Sequence, residues 1–331
     1  MRALLLRGFG EDARYEPGEI ERPEVRPGCV LIRVMAAGLN PIDSKIRRFK
    51  PFFAPQLPAV PGMDAAGVVE EVGRGVCDFA PGDEVYGCAG GLLDLPGSLA
   101  EYMVADSRLI AKKSEALSMR EAAAMPLATI AAWEGLFDRG GLMPEHQVLI
   151  HAGAGGVGHL AVQLATIRGA RVAATVSTEA KAALARSFGA GEAINYKSEP
   201  VEEYVARLTG GRGFDVVFDT VGGANLDTSF TAAKLGGLVV STATRETHDL
   251  TILHEKGLTL SVVFMLIPLI YSLGRKRHGE ILGEAAWYSD SGRLRPNLDS
   301  RVFSLERADE AYRLLDSGQA TGKIVVDVAT Q

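Results

Sequence analysis

The sequence predicts an α/β protein in which a mostly β domain accompanies a doubly wound parallel sheet. Three observations carry this. From Gln147 onward, short continuous apolar runs alternate with amphipathic stretches, the pattern of parallel strands covered by helices on both faces. A glycine-rich turn, Gly153 to Gly158, follows the first of these runs and opens a helix. Up to about Lys113 the chain is instead rich in glycine, proline and short β-branched runs.

In the β-rich part, VLIRVMAAG, AAGVVEEVG, GDEVYG and LAEYMVA read as strands, bounded by Pro-Gly pairs at 27–28, 61–62 and 81–82. Ser118 and Glu121 form a capping box that opens a helix through Ala122–Met125, and a second helix is expected near Ala131–Asp138. Val148 to Ala152 is then a buried strand, followed by the glycine turn and an amphipathic helix to Ala165. RVAATV, EAINY, DVVFDTV, GLVVSTA and LTLSVVF read as further strands, with helices at EAKAALARSFG, VEEYVARLTG and ANLDTSFTAAKLG. ADEAYRLLDSG reads as a helix ended by Gly318, and KIVVDV as a last strand. The expected division is a discontinuous β-rich domain, 1–125 with 265–331, around a nucleotide domain at 126–264.

Composition narrows the function classes. A chain of 331 residues with a net charge of −6 and no polybasic tract is not built for nucleic acid or an anionic membrane. VVFMLIPLIYSL is too short to span a bilayer and contains Pro268; it reads as a buried strand leading into a partly covered loop or helix. MRALLL, closed at once by Arg7, does not read as a signal peptide. Cys29, Cys77 and Cys88 lie far apart and suit a reducing cytosol, so a cytoplasmic location is the expectation.

The glycine turn points to a dinucleotide. Gly153, Gly155 and Gly158 have the G-x-G-x-x-G spacing between a strand and a helix. In that motif the first glycine permits the tight turn, the second lets a pyrophosphate approach the backbone, and the third allows close helix packing. An NAD site usually places a carboxylate at the end of the second strand. Here that place holds Ser177, with Glu179 only later, and Lys181 follows in the next helix while Tyr196 ends the third strand. A missing carboxylate and an added cation favour the 2′-phosphate of NADPH, although Lys181 taken alone reads better as a solvated surface residue. The six histidines show no metal-ligand spacing and the cysteines are scattered, so zinc-free chemistry is expected.

With these residues in view, the chain resembles the medium-chain dehydrogenase/reductase superfamily, and within it the zinc-free NADPH:quinone oxidoreductase, zeta-crystallin-like branch. PGMDAAGVVEEVG at 61–73 is similar to the family's P-G-H-E-x-x-G-x-V segment, with Met63 where zinc members carry a ligand histidine and Asp64 in the acidic place. AAGLNPIDSKIR at 36–47 resembles the segment whose zinc form carries a ligand cysteine, here Asn40. AGGVG at 154–158, with Gly156 and Val157, is similar to the branch's phosphate loop. TVSTEAKA and INYK resemble the places where NADPH-dependent members hold the 2′-phosphate, and DTVGG, with Val221, resembles the adenine-side turn. The N-P-x-D-x-K unit ending at Lys45 is closer to the alkenal/enone-reducing members; the best-known quinone reductases carry a tyrosine there. The resemblance implies a GroES-like catalytic domain, a Rossmann domain binding NADPH, and often a homodimer joined through strand edges near LTLSVVF.

The expected reaction is hydride transfer to a quinone or an α,β-unsaturated carbonyl, with negative charge developing on oxygen. Asn40 would orient the substrate or the nicotinamide amide. Asp43 would fix the loop and pair with Lys45, or serve a helix cap. Lys45 is the candidate oxyanion donor or proton source, or else a surface residue of the basic run KIRRFK. On the cofactor side, Thr129 is expected against the nicotinamide or as a helix cap. Phe264 either walls the pocket or packs in the core, and Lys323 either approaches the cofactor or begins a strand. Thr242, at the end of GLVVSTA, is counted with the cofactor residues. Alternatives are an enoyl-thioester reductase using Arg47, Arg48 and Lys50 as a basic groove, a non-catalytic NADPH-binding protein and, weakest, a zinc alcohol dehydrogenase.

Overall fold

In a computed structural model the chain divides into two compact units, 1–127 with 266–331 and 128–265. The structure describes residues 1–329.

The first unit is built on antiparallel strands. Cys29–Gly38 lies between Val325–Asp327 and Asp64–Val72, and Glu84–Cys88 and Ile110–Lys112 extend the sheet beyond them. Tyr102–Asp106 pairs with the first half of Cys29–Gly38. Register places Gly38 opposite both Asp64 and Val325, so the strand end that leads into Asn40 is held from two sides. A Cβ on Gly38 would stand 2.1 Å from the Ala123 carbonyl oxygen, so only glycine lets the short helix Met119–Ala123 seat there. Ser118 caps that helix as its sequence requires: its hydroxyl accepts from the Glu121 N–H at 3.3 Å, and the Glu121 carboxylate accepts from the Ser118 N–H at 2.9 Å. Pro126 then starts a separate helix, Pro126–Trp133, which continues as a wider turn through Glu134–Arg139. The helix expected near Ala131–Asp138 therefore begins earlier, because proline is accommodated at a helix start.

The second unit is a six-stranded parallel sheet. Its spatial order is Glu192–Asn195, Arg171–Val176, Gln147–Ile150, Phe214–Asp219, Ala233–Ser241 and Thr259–Val262. Numbered along the chain this is 3-2-1-4-5-6, the dinucleotide-binding order, and it reverses between Gln147–Ile150 and Phe214–Asp219. The core beneath it gathers Leu149, Ile194, Tyr204, Phe214, Val217, Phe230 and Val239, all buried. Two expectations are corrected. The helix Gly158–Arg168 is buried on every side through Ala165 rather than amphipathic, its polar members His159 and Gln163 bonding to the carbonyls of Gly155 and His159. Thr259–Val262 is only partly buried, because it has one neighbour and forms the sheet edge.

Close packing dictates the glycine turn. The left-handed residue is Ala152, with φ 52°, not the first glycine. Gly153 is needed instead because a Cβ there would lie 2.5 Å from the Ala174 Cβ, and at Gly158 it would lie 2.0 Å from the Ala152 carbonyl oxygen. Gly158→Ala should therefore cost about 1–3 kcal/mol, as overpacking of a backbone contact does. Urea unfolding measures it; a variant as stable as wild type would show that the turn relaxes freely.

Candidate active site and dinucleotide site

The polar cluster of the first unit starts from the helix Pro41–Phe49. Asn40 is its N-cap, Pro41 its first residue, and Asp43 accepts the Asn40 backbone N–H at 2.9 Å. The Asn40 side chain is turned inward. Its Nδ2 donates to Asp64 Oδ2 at 2.8 Å, and its Oδ1 accepts from Lys323 Nζ at 2.5 Å. Lys323 also donates to the Leu39 carbonyl at 2.9 Å and lies 3.9 Å from the Asp64 carboxylate. The other oxygen of Asp64 accepts the Leu127 N–H at 2.9 Å. Asn40, Asp43, Asp64 and Lys323 are all buried. Burial is the leading influence on each ionisable member: it raises the Asp64 carboxyl, pushes Asp43 up to about 7 and lowers the Lys323 ammonium.

Lys45 stands apart from this cluster. It is exposed, whereas Asp43 is buried, and the expected Asp43–Lys45 pair does not form. Residues two apart on a helix point to different faces, so burying one carboxylate carries the lysine outward. The basic run is likewise broken up. Arg47 is buried and donates to the Ala13 carbonyl at 2.6 Å and to Asp316 at 3.0 Å, Arg48 donates to Glu11 at 2.8 Å, and Lys50 sits over the Phe9 ring.

In the second unit, the strand ends at the order reversal bring the dinucleotide candidates together. The Thr175 hydroxyl accepts the Ala152 N–H and meets His151 Nδ1, each at 3.1 Å, tying the turn to the second strand. Burial lowers His151 to about 4, so the ring is neutral near pH 7. Ser177 is half-buried at the end of Arg171–Val176, and Thr178 caps the next helix by accepting the Lys181 N–H. The Lys181 side chain is exposed, as is Tyr196, whose N–H donates to the Val176 carbonyl. Glu179 is engaged by Arg186 at 3.1 Å. Across the reversal, one residue that the sequence reading had not singled out organises two loops. The buried Asp219 carboxylate accepts from the Val221 and Gly222 N–H groups, the Asn225 amide and the Ser241 hydroxyl, while its carbonyl accepts the Thr242 N–H. Its mark in the sequence was an Asp ending a strand just before a Gly-Gly turn. Phe264 is half-buried beyond the edge strand, and the Thr129 hydroxyl is buried with no hydrogen-bond partner among the described residues.

These residues fit NADPH. A glycine turn that opens a helix suits an anion, a hydroxyl and an ammonium follow the second strand at Ser177 and Lys181 with no carboxylate before Glu179, and the buried Thr129 hydroxyl has no hydrogen-bond partner among the described residues. They do not fit a catalytic zinc. Asn40 and Met63 offer an amide and a thioether, poor partners for that ion, and the Lys323 ammonium already stands beside Asp64. Among the described residues no group of three or more His, Cys, Asp or Glu could hold a metal ion.

The buried carboxyl makes a pH prediction. The Asp43 value is raised in the fold, so its stabilising contribution is full below the ordinary carboxyl value and is lost as pH rises through the folded one. Wild type should lose unfolding free energy between about pH 4 and about pH 7, and Asp43→Asn, which keeps an acceptor for the Asn40 N–H, should lack that component. Urea titrations across that range compare the two; equal slopes would refute the assignment.

Comparison with known proteins places the chain. An alcohol dehydrogenase GroES-like domain model matches residues 26–115, and a zinc-binding dehydrogenase model matches residues 156–268. The chain is 38% identical over 326 residues to the Arabidopsis thaliana chloroplastic NADPH-dependent alkenal/one oxidoreductase, covering 96% of this chain and 76% of that protein. Among solved structures, an alcohol dehydrogenase superfamily protein from Novosphingobium aromaticivorans aligns with a TM-score of 0.95 and 41% identity over 99% of this chain and 100% of that one. The Escherichia coli quinone oxidoreductase complexed with NADPH aligns with a TM-score of 0.88 and 27% identity, again over 99% and 100%. With a GroES-like unit, a 3-2-1-4-5-6 parallel sheet and relatives matching along nearly its whole length, the chain belongs to the medium-chain dehydrogenase/reductase superfamily.

Proposed function

We propose that this protein is an NADPH-dependent, zinc-independent oxidoreductase that reduces an α,β-unsaturated carbonyl or a quinone. The observation that carries the reading is the glycine turn at the order reversal of the parallel sheet, beside a strand that is followed by Ser177, with no carboxylate before Glu179 and with Lys181 in the following helix. Relatives named as an NADPH-dependent alkenal/one oxidoreductase and as a quinone oxidoreductase holding NADPH support it.

When bound, NADPH supplies the hydride. Gly156, Val157 and Gly158 would offer backbone N–H groups to its pyrophosphate, while Gly153 and Gly155, whose N–H groups donate to the Thr175 and Ala152 carbonyls, would shape the turn that lets it approach. Ser177, Lys181 and Tyr196 would hold the 2′-phosphate, Val221 and Thr242 would border the adenine side, and Thr129 and Phe264 would face the nicotinamide. Lys45, on the exposed face of its helix, donates to the acceptor oxygen as negative charge develops there. Asn40 and Asp43 hold that helix start. The catalytic domain is 1–125 with 265–331, and the Rossmann domain is 126–264.

The enoyl-thioester alternative is less favoured, because Arg47 is drawn inside against Asp316, which leaves Arg48, paired with Glu11, and Lys50 as the exposed cations of the expected groove. The partner is a small molecule, not nucleic acid. No helix among the described residues is long and apolar enough to cross a membrane. We assign the protein to the cytoplasm and to a homodimer joined along the edge strand Thr259–Val262, whose Val262 is exposed. Light scattering of the purified chain tests the dimer.

The reading is tested by NADPH oxidation, with NADH as control, against a 2-alkenal, a naphthoquinone, an enoyl-CoA and a simple aldehyde. NADPH-linked turnover of the alkenal or quinone is expected; tight NADPH binding with silence across the panel would refute the chemistry and leave the cofactor site standing. Lys181→Ala should weaken NADPH binding about tenfold and leave NADH unaffected, as loss of a charge-assisted phosphate contact does. Lys45→Ala should lower kcat about tenfold or more with NADPH affinity unchanged. Unaltered turnover on every acceptor would remove Lys45 from the mechanism.

A further inference from the structure

Lysine is almost never fully buried unless it is paired. Lys323 is 6% exposed, and the two hydrogen-bond acceptors of its ammonium fall on one short stretch of chain. Its ammonium donates to the Leu39 carbonyl and to Asn40 Oδ1, while the carbonyl of its neighbour Ile324 accepts the Leu39 N–H at 3.0 Å. Two consecutive residues near the C-terminus thus take both backbone polar groups of Leu39 and the side chain of Asn40. Lys323 is anchored in turn by its own N–H to the Asn297 carbonyl at 2.7 Å and its carbonyl to the Asp299 N–H at 2.9 Å. The far side of the Asn40 amide is held by Asp64. Everything grasped here lies at the start of the helix Pro41–Phe49, and the rest of that helix is tied by the Tyr15 hydroxyl to the Asp43 carbonyl and by Arg47 to Ala13 and Asp316. Of Asn40, Asp43, Lys45 and Lys323, only Lys45 presents its head outward.

We propose that Lys323 is a positioning residue that makes no contact with the cofactor: through the Leu39 carbonyl and the Asn40 amide it sets the first turn of this helix, and so the place from which Lys45 reaches the acceptor. Removing the ammonium leaves Asn40 Oδ1 and the Leu39 carbonyl without their donor and Asp64 buried without its cation, so the Leu39–Asn40 stretch loses those holds and keeps the ones made by its two backbone N–H groups and by Asn40 Nδ2. The kinetic part of the proposal rests on the reductase reading above; the structural part does not.

The test therefore begins without turnover. Reductive dimethylation of the native wild-type protein, read by mass spectrometry, should label Lys45 quickly and leave Lys323 protected, equally with and without NADPH. Labelling of Lys323 that only NADPH suppresses would make it a cofactor contact and overturn the proposal. In cofactor-free Lys323→Met, hydrogen exchange should rise in the peptide spanning 39–49; unchanged exchange in a folded variant would also overturn it. Kinetically, Lys323→Met should lower kcat for the alkenal or quinone about tenfold or more, as misplacement of a reacting group does, with the dissociation constant for NADPH unchanged. Combined with Lys45→Ala it should add no further loss; additive losses would separate the two residues. Propylammonium should restore exchange protection and kcat to Lys323→Ala, and 1-propanol should not. Rescue by both would show a filled space instead of a positioned charge, against the proposal.

Discussion

The first unit depends on one buried ammonium. Lys323 is the cation among two buried carboxyls, Asp43 and Asp64, and an amide that spans from it to Asp64. Such a group is held only if its donors are used and a counter-charge is near. Both conditions are met by joining pieces distant in sequence: the end of one strand, the start of its antiparallel neighbour and the returning C-terminal segment. The same atoms decide the chemistry available. An ammonium beside Asp64 disfavours a dication there, and the one lysine of the helix that follows, Lys45, is left exposed, which is why the proposed function gives it the acceptor oxygen.

The second unit reaches its function by a different constraint, close backbone packing. Gly153 lies against the second strand and Gly158 against the turn itself, so the chain can leave Gln147–Ile150 and enter a helix at the point where the sheet order reverses. Asp219 performs the matching task on the other side of that reversal, collecting four donors and shaping the loops that carry Val221 and Thr242. In the proposed function, cofactor discrimination follows from the short stretch after the second strand, where Ser177 follows the strand, Lys181 lies in the next helix and Glu179 pairs with Arg186. The two units thus rest on opposite means: buried charge at the start of a helix in one, absence of side chain at a tight turn in the other.

Much of this was legible locally. The glycine spacing, the capping box at Ser118 and the apolar runs of the parallel strands are all determined by neighbours within a few residues, and they appear where local rules place them. Other features were not. The longest helix, Arg275–Asp290, contains Gly279 and Gly283, which local propensity counts against it; Gly279 is there because a Cβ would lie 2.8 Å from the Arg108 carbonyl. The run KIRRFK reads as one basic face, yet Arg47 is drawn inside by Asp316, a residue 269 positions away.

What the sequence by itself determined is the fold class, the order of its elements and the cofactor chemistry, because periodicity, turn residues and the strand-end composition act over short stretches of chain. What only the tertiary structure decided is the direction of each charged side chain. Asn40, Asp43, Lys45 and Lys323 were all readable as polar candidates, but three of them are turned inward by partners up to 284 positions distant and one is left outside. Burial free energy and charge pairing are summed over the folded surroundings, and no local pattern encodes that sum.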